Sequence, residues 1–142
     1  MIRRTLRIAA IAIVSGALSI SAFAQGKTHR VVFALASPEQ ADWRLTLNNL
    51  QNLVHGFASE PYDIEVVAYG PGIAFLKKDD ADAAEIQKLE SAHLHFVACE
   101  TAMRKQNVTA ADLIEGVTTT PSGIVEVVRR QEQGWTYIKA GR

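Results

Sequence analysis

The sequence predicts an α/β domain, a three-layer α/β/α sandwich built on a mostly parallel five-stranded sheet. Three observations carry that expectation. Five short apolar or β-branched runs recur along the chain, helical periodicity or capping signals fill the intervals between them, and Gly, Pro or Asp clusters mark the junctions. Strands that alternate with helices at this spacing call for helical crossovers between parallel neighbours. The order of the strands is not readable, because several doubly wound orders fit the same string.

The first run is Arg30 to Ala36 (RVVFALA), followed by Ser37-Pro38-Glu39-Gln40, which has the Ser-x-x-Gln form of a capping box with Pro at the first helical position. Trp43, Leu47, Leu50, Val54 and Phe57 then recur at helical spacing and predict one buried face, with Asn48, Asn49 and Asn52 outside it. Tyr62 to Tyr69 (YDIEVVAY) is the second strand and breaks at Gly70-Pro71-Gly72. A short helical piece over Ile73 to Lys78 precedes a helix over Ala81 to Ser91, capped by Asp79 or Asp80. Leu94 to Cys99 is strand three, and Thr101 to Gln106 a short helix. Thr109 with Asp112 marks a capped turn that ends at Gly116, and Val117 to Thr120 is strand four. After the turn Pro121-Ser122-Gly123, the residues Ile124, Val127, Val128 and Gln131 define a last helix closed by Gly134, and Trp135 to Lys139 is strand five.

The N-terminus reads as an export signal. Arg3, Arg4 and Arg7 form a basic start, Ile8 to Ile20 an apolar middle, and Ala22-Phe23-Ala24 a small-x-small site, so cleavage is expected after Ala24 and the mature protein in the periplasm. The apolar run is short for a membrane span, which needs roughly 20 residues. Without residues 1–24 the chain has 118 residues, one domain over 25–142, and 12 basic against 15 acidic side chains. That excess has the wrong sign for phosphate, and no basic cluster with interleaved aromatics points to nucleic acid. No membrane association is expected after cleavage.

The chain holds a single cysteine, Cys99, at the carboxyl end of the third strand, the end where open α/β sheets gather loops and helix N-termini into sites. Tyr69-Gly70-Pro71-Gly72 and Thr120-Pro121-Ser122 occupy equivalent ends, and Gly70 and Gly72 would let backbone approach a ligand or the thiol. A cysteine just before a helix lies near unpaired amides that favour thiolate, whereas Glu100 beside it works the other way. The competing reading is a small buried hydrophobe. With no second cysteine, an intrachain disulfide is impossible.

Ala98 to Met103 (A-C-E-x-x-M), Ala111 to Val117 (ADLIEGV) and Pro121 to Lys139 (PSGIVEVVRRQEQGWTYIK), with LNNLQN at Leu47 to Asn52 and VVAYGPG at Val66 to Gly72, together resemble the DsrE/DsrF-like family of sulfur-relay proteins, above all its exported single-domain members. The resemblance implies a flavodoxin-like fold, self-association as a trimer or hexamer, and a cysteine that carries sulfur as a persulfide, received from and passed to partners the sequence does not name. Carried to this chain, that cysteine is Cys99, with Tyr69, Gly70, Gly72, Glu100, Thr101, Pro121 and Ser122 as its binding surroundings. Comparable members commonly read Cys-x-Asn-Thr, and here Thr101 and Ala102 replace the last two residues, so Thr101 would supply the one hydrogen bond near sulfur.

Other chemistry assembles less well. His93 and His95 share a strand face, but Cys99 lies roughly 13 Å beyond His95 at about 3.3 Å per residue, so the three cannot share a metal; polar residues at the strand entrance are the simpler reading. Tyr69-Gly70-Pro71-Gly72 lacks the phosphate-loop and dinucleotide spacings, and no cofactor is expected. Trp135 and Tyr137 read as packing. No spacing selects one of the four histidines as a base for Cys99, so a sulfur carrier ranks above an independent enzyme. The rival class is a non-catalytic oligomeric binding module in which Cys99 is structural.

Overall fold

A computed structural model describes residues 27–91 and 93–142, and the signal-like segment and its cleavage site lie outside them. Five strands, β1 (His29–Leu35), β2 (Tyr62–Ala68), β3 (Leu94–Cys99), β4 (Thr118–Thr120) and β5 (Thr136–Lys139), form one sheet in the order β4-β3-β2-β1-β5. Every pairing is parallel. The α/β expectation therefore holds, and each strand lies within a residue or two of its sequence-derived run. Among the described residues, no helix is long and apolar enough to cross a membrane.

Four helices, α1 (Gln40–Gly56), α2 (Ala83–Leu89), α3 (Glu100–Lys105) and α4 (Gly123–Glu132), connect the strands, with 3-10 turns at Gly70–Leu76 and Ala110–Asp112. The chain steps from β1 to β2, β3 and β4 in one direction, and packs α1, α2, α3 and the Gly70–Leu76 turn on one face. The crossover through α4 returns to place β5 on the far side of β1, and α4 packs on the other face, reaching β1, β2, β3 and β5. The order reverses between β1 and β5, which makes their carboxyl ends the topological switch point.

Side-chain alternation sorts the sheet into two unlike surfaces. Register aligns Phe33, Val66, Phe96 and Ile138 in one row, and this face joins Trp43, Leu47 and Leu50 of α1 and Phe75 and Leu76 of the 3-10 turn in the main core. The neighbouring row, Tyr137, Val32, Glu65 and His95, lies on the α4 face, whose apolar cluster is only Val32, Ala34, Val67, Val97 and Val127 with the flanks of Tyr69 and Trp135.

Helix α4 buries only Val127 of the residues expected to define it. Its buried residues are Gly123 and Val127, with Glu126 and Arg130 half-buried, whereas Ile124, Val125 and Val128 are 53%, 42% and 46% exposed. The cause is Glu65, a carboxylate in mid-sheet with 3% exposure. Arg130 grips it through Nε at 3.0 Å and Nη2 at 2.5 Å, also binds Glu126 at 2.9 Å, and stacks over the Trp135 ring at 4.8 Å. A buried charge costs several kcal/mol unless paired, so the helix turns its arginine inward and its aliphatic residues out.

Two capping expectations fare differently. The Ser37 box does not form: α1 begins at Gln40 with Glu39 as N-cap, and the Ser37 hydroxyl instead donates to Asp42 Oδ2 at 2.6 Å. At Thr109 the box partner is engaged, with Asp112 Oδ2 accepting from the Thr109 amide at 2.8 Å and hydroxyl at 2.7 Å. The helix expected over Ala81 to Ser91 is shorter at both ends. Asp80 accepts the Asp82 amide in a preceding turn, and Glu90 leaves the helix to accept the Phe96 amide at 3.1 Å, so both acids serve neighbouring backbone.

Candidate functional site

Cys99 ends β3 and is the N-cap residue of α3, beside Thr120 of β4 in register. Its side chain makes no capping hydrogen bond, and α3 is one and a half turns long, so the helix end adds little around the sulfur. The residue is 5% exposed and touches the main core. Beside it lies a cavity of about 190 Å³. Tyr69 and Gly70 from the end of β2, Thr101, Ala102 and Lys105 from α3, and Ser122 and Ile124 from the start of α4 form its walls. The lining is mostly apolar, with the hydroxyl-bearing Tyr69, Thr101 and Ser122 and the Lys105 ammonium, a setting for a small anion.

Three loops are tied together around this cavity. Thr101 Oγ1 donates to the Pro121 carbonyl at 2.9 Å and accepts from Arg104 at 3.1 Å. Gln106 Nε2 donates to the Gly70 carbonyl at 2.6 Å, and Thr119 Oγ1 donates to Glu100 at 2.9 Å. The loops after β2, β3 and β4 thus hold a fixed frame around the thiol, which is what a site on rigid elements requires.

The sequence-derived surroundings divide accordingly. Tyr69, Gly70, Thr101 and Ser122 line the cavity with Cys99. Thr101 spends its hydroxyl proton on Pro121 rather than on sulfur, which corrects the role expected for it. Pro121 serves as that acceptor from outside the lining, and Glu100 turns away to Thr119 and Arg104. Gly72 approaches backbone rather than the thiol: a Cβ there would lie 2.4 Å from the Leu35 carbonyl oxygen. His93 and His95 diverge, the first to Asp63 at 3.5 Å and the second to Glu90 at 3.2 Å.

Gly123 and the wall residues Ala102, Lys105 and Ile124 escaped the sequence reading of the site. A Cβ on Gly123 would meet Tyr69 Cβ at 2.8 Å, Cys99 Cβ at 3.0 Å and Val67 Cγ1 at 3.2 Å, so its missing side chain is what lets α4 close down beside the thiol. A glycine inside a helix costs up to about 1 kcal/mol against alanine, and that cost at the head of an otherwise aliphatic helix was the available signal. Lys105, six residues after Cys99, brings the cavity its cation; a charged residue on a short helix has no periodic signature.

Comparison with known proteins agrees with this architecture. No relative matches among curated proteins. A solved structure of a protein of unknown function from Methanobacterium thermoautotrophicum is similar, with 34% sequence identity and a TM-score of 0.73 over 78% of this chain and 98% of that one. The sequence pattern of the DsrE/DsrF-like family matches residues 3–140. With five parallel strands, the thiol at the end of the third and a match across nearly the whole sequence, the chain belongs to the DsrE/DsrF-like family.

Proposed function

We propose that the protein binds and transfers sulfane sulfur, with Cys99 as the acceptor that carries it as a persulfide. The observation that carries this reading is the chain's single thiol set against a small cavity with Lys105 and the hydroxyl-bearing Tyr69, Thr101 and Ser122 in its walls; family membership supports the same direction. In the loading step the Cys99 thiolate attacks the terminal sulfur of a polysulfide. A sulfur–sulfur bond forms to Cys99, the next sulfur–sulfur bond of the donor breaks, and the electron pair leaves on the shortened polysulfide. The thiol proton passes to solvent, and no further oxidant is needed. Delivery reverses the step toward an acceptor thiolate.

The signal-like start supports action in the periplasm, and the exposed Ile124, Val125 and Val128 support self-association through α4, as a trimer or hexamer. Ile124 also lines the cavity, so a neighbouring copy on α4 would border the thiol. The 5% exposure of Cys99 favours a second reading, a binding module with a structural cysteine. Intact-mass measurement decides between them. Reduced protein incubated with polysulfide gains the mass of one sulfur and loses it to dithiothreitol, and Cys99→Ser does neither. A wild-type chain that gains nothing, and resists a small alkylating agent until denatured, belongs to the second reading.

A further inference from the structure

Lys105 is the one charged residue in the walls of the cavity beside Cys99, and no carboxylate lies among them. Among the described residues Lys105 has neither an ion pair nor a hydrogen bond. The other polar side chains of α3 are engaged with one another or with neighbouring loops. Arg104 reaches Glu100 at 4.0 Å and Thr101 at 3.1 Å, Glu100 accepts from Thr119, and Thr101 gives its proton to Pro121. An ammonium at a cavity without a counter-charge favours an anion there.

The start of α4 points to the same sign of charge. This helix is ten residues long, its N-cap Ser122 makes no side-chain capping bond, and no described residue accepts from the amides of Gly123 and Ile124. Uncapped amides at a helix start carry the positive end of its dipole. They lie against the thiol: a Cβ on Gly123 would fall 3.0 Å from Cys99 Cβ, and Ser122 and Ile124 are themselves cavity walls. Cys99 is 5% exposed and has no hydrogen-bond partner among the described residues. Thiol, unpaired cation and helix start thus border one space of about 190 Å³. At about 30 Å³ for each water in the liquid, such a space admits roughly six non-hydrogen atoms, the size of a short inorganic chain. We infer that Lys105 determines which donors this site takes: its ammonium, with the first amides of α4, holds the negative end of a short inorganic sulfur anion whose other end meets Cys99, so anionic donors are favoured over uncharged ones. The inference rests on the reading of Cys99 as sulfur acceptor and adds the class of donor.

Lys105 is exposed, so replacing it does not threaten the fold. The test follows by intact mass the rates at which Cys99 is loaded by sodium tetrasulfide and alkylated by two reagents of one shape, anionic iodoacetate and uncharged iodoacetamide. In Lys105→Gln the rates with tetrasulfide and iodoacetate fall by about tenfold, the scale of a hydrogen bond to a charged group, while the rate with iodoacetamide is unchanged. Lys105→Arg keeps the wild-type rates, and Lys88→Gln on α2 changes none of them. Equal rates in wild type and Lys105→Gln, a fall shared by iodoacetamide, or the same fall in Lys88→Gln overturns the inference and leaves Cys99 an acceptor without charge selection. A wild-type chain that takes up neither sulfur nor iodoacetamide is a different failure: it overturns the acceptor reading, and this inference with it.

Discussion

The two faces of the sheet solve the same burial problem in opposite ways. Beneath α1, α2 and α3, large side chains such as Phe33, Phe75 and Phe96 are fully enclosed. Beneath α4, the sheet offers valines and an alanine, buries a carboxylate, and leaves aliphatic residues of the helix exposed. The first face supplies stability. The second gives up packing for proximity, since a short helix over small residues brings Ser122, Gly123 and Ile124 next to Cys99.

Truncation separates the faces first. Phe96→Ala costs about 4 kcal/mol, as large core aromatics do, whereas Val97→Ala, one residue along on the other face, costs about 2 kcal/mol at about 0.8 kcal/mol per buried methyl(ene) group plus its cavity. Denaturant unfolding of the two variants reads the difference directly, and equal losses would mean that the faces are equivalent.

Next in size is the buried ion pair. Arg130→Met strands Glu65 beneath α4 and destabilises by about 3 kcal/mol. The pH dependence carries a sign. Burial raises the Glu65 pKa above the ordinary glutamate value of 4.5, against the pull of Arg130. The folded state therefore favours the protonated form, and this contribution is full below the ordinary glutamate range and is lost as pH rises through the raised pKa. Glu65→Gln lacks that loss, so its stability relative to wild type improves as pH rises across the same window. Asp42 behaves oppositely: its lowered pKa gives stability that is present above the ordinary aspartate range and is lost as pH falls through the folded value.

Gly123→Ala forces a methyl to within 3.0 Å of Cys99 Cβ and closer still to Tyr69 Cβ. It costs about 2 kcal/mol by overpacking, and it displaces α4 enough to change the alkylation rate of Cys99. An unchanged rate would separate the helix from the thiol. The smallest effect on monomer stability, within about 0.5 kcal/mol, is expected for Val128→Lys, which by light scattering should shift the protein toward monomer if α4 is the self-association face.

Strand positions were legible because apolar runs bounded by Gly and Pro have few alternative structures, and of the expected stripe Trp43, Leu47 and Leu50 are buried while Val54 and Phe57 are only half-buried. The failures share a cause, which is a side chain engaged by a distant partner. Ser37 abandons its cap for Asp42, Glu90 leaves a helix for the Phe96 amide, and Glu65 with Arg130, 65 residues apart, leaves Ile124 and Val128 of α4 outside. Strand order is likewise a long-range property, and with it the placing of Cys99 between the β2 and β4 ends rather than at the switch point. The cysteine was visible, but the glycine that makes room beside it and the lysine at its cavity depend on where α3 and α4 lie.

The central claim is that Cys99 holds transferable sulfur, and cyanolysis tests it most directly. Protein loaded with polysulfide, freed of excess reagent and treated with cyanide should release one equivalent of thiocyanate per chain, as cyanide takes the outer sulfur and returns the Cys99 thiolate, with none from Cys99→Ser. No thiocyanate from a wild-type chain whose thiol is intact would contradict the account and leave Cys99 as part of the core.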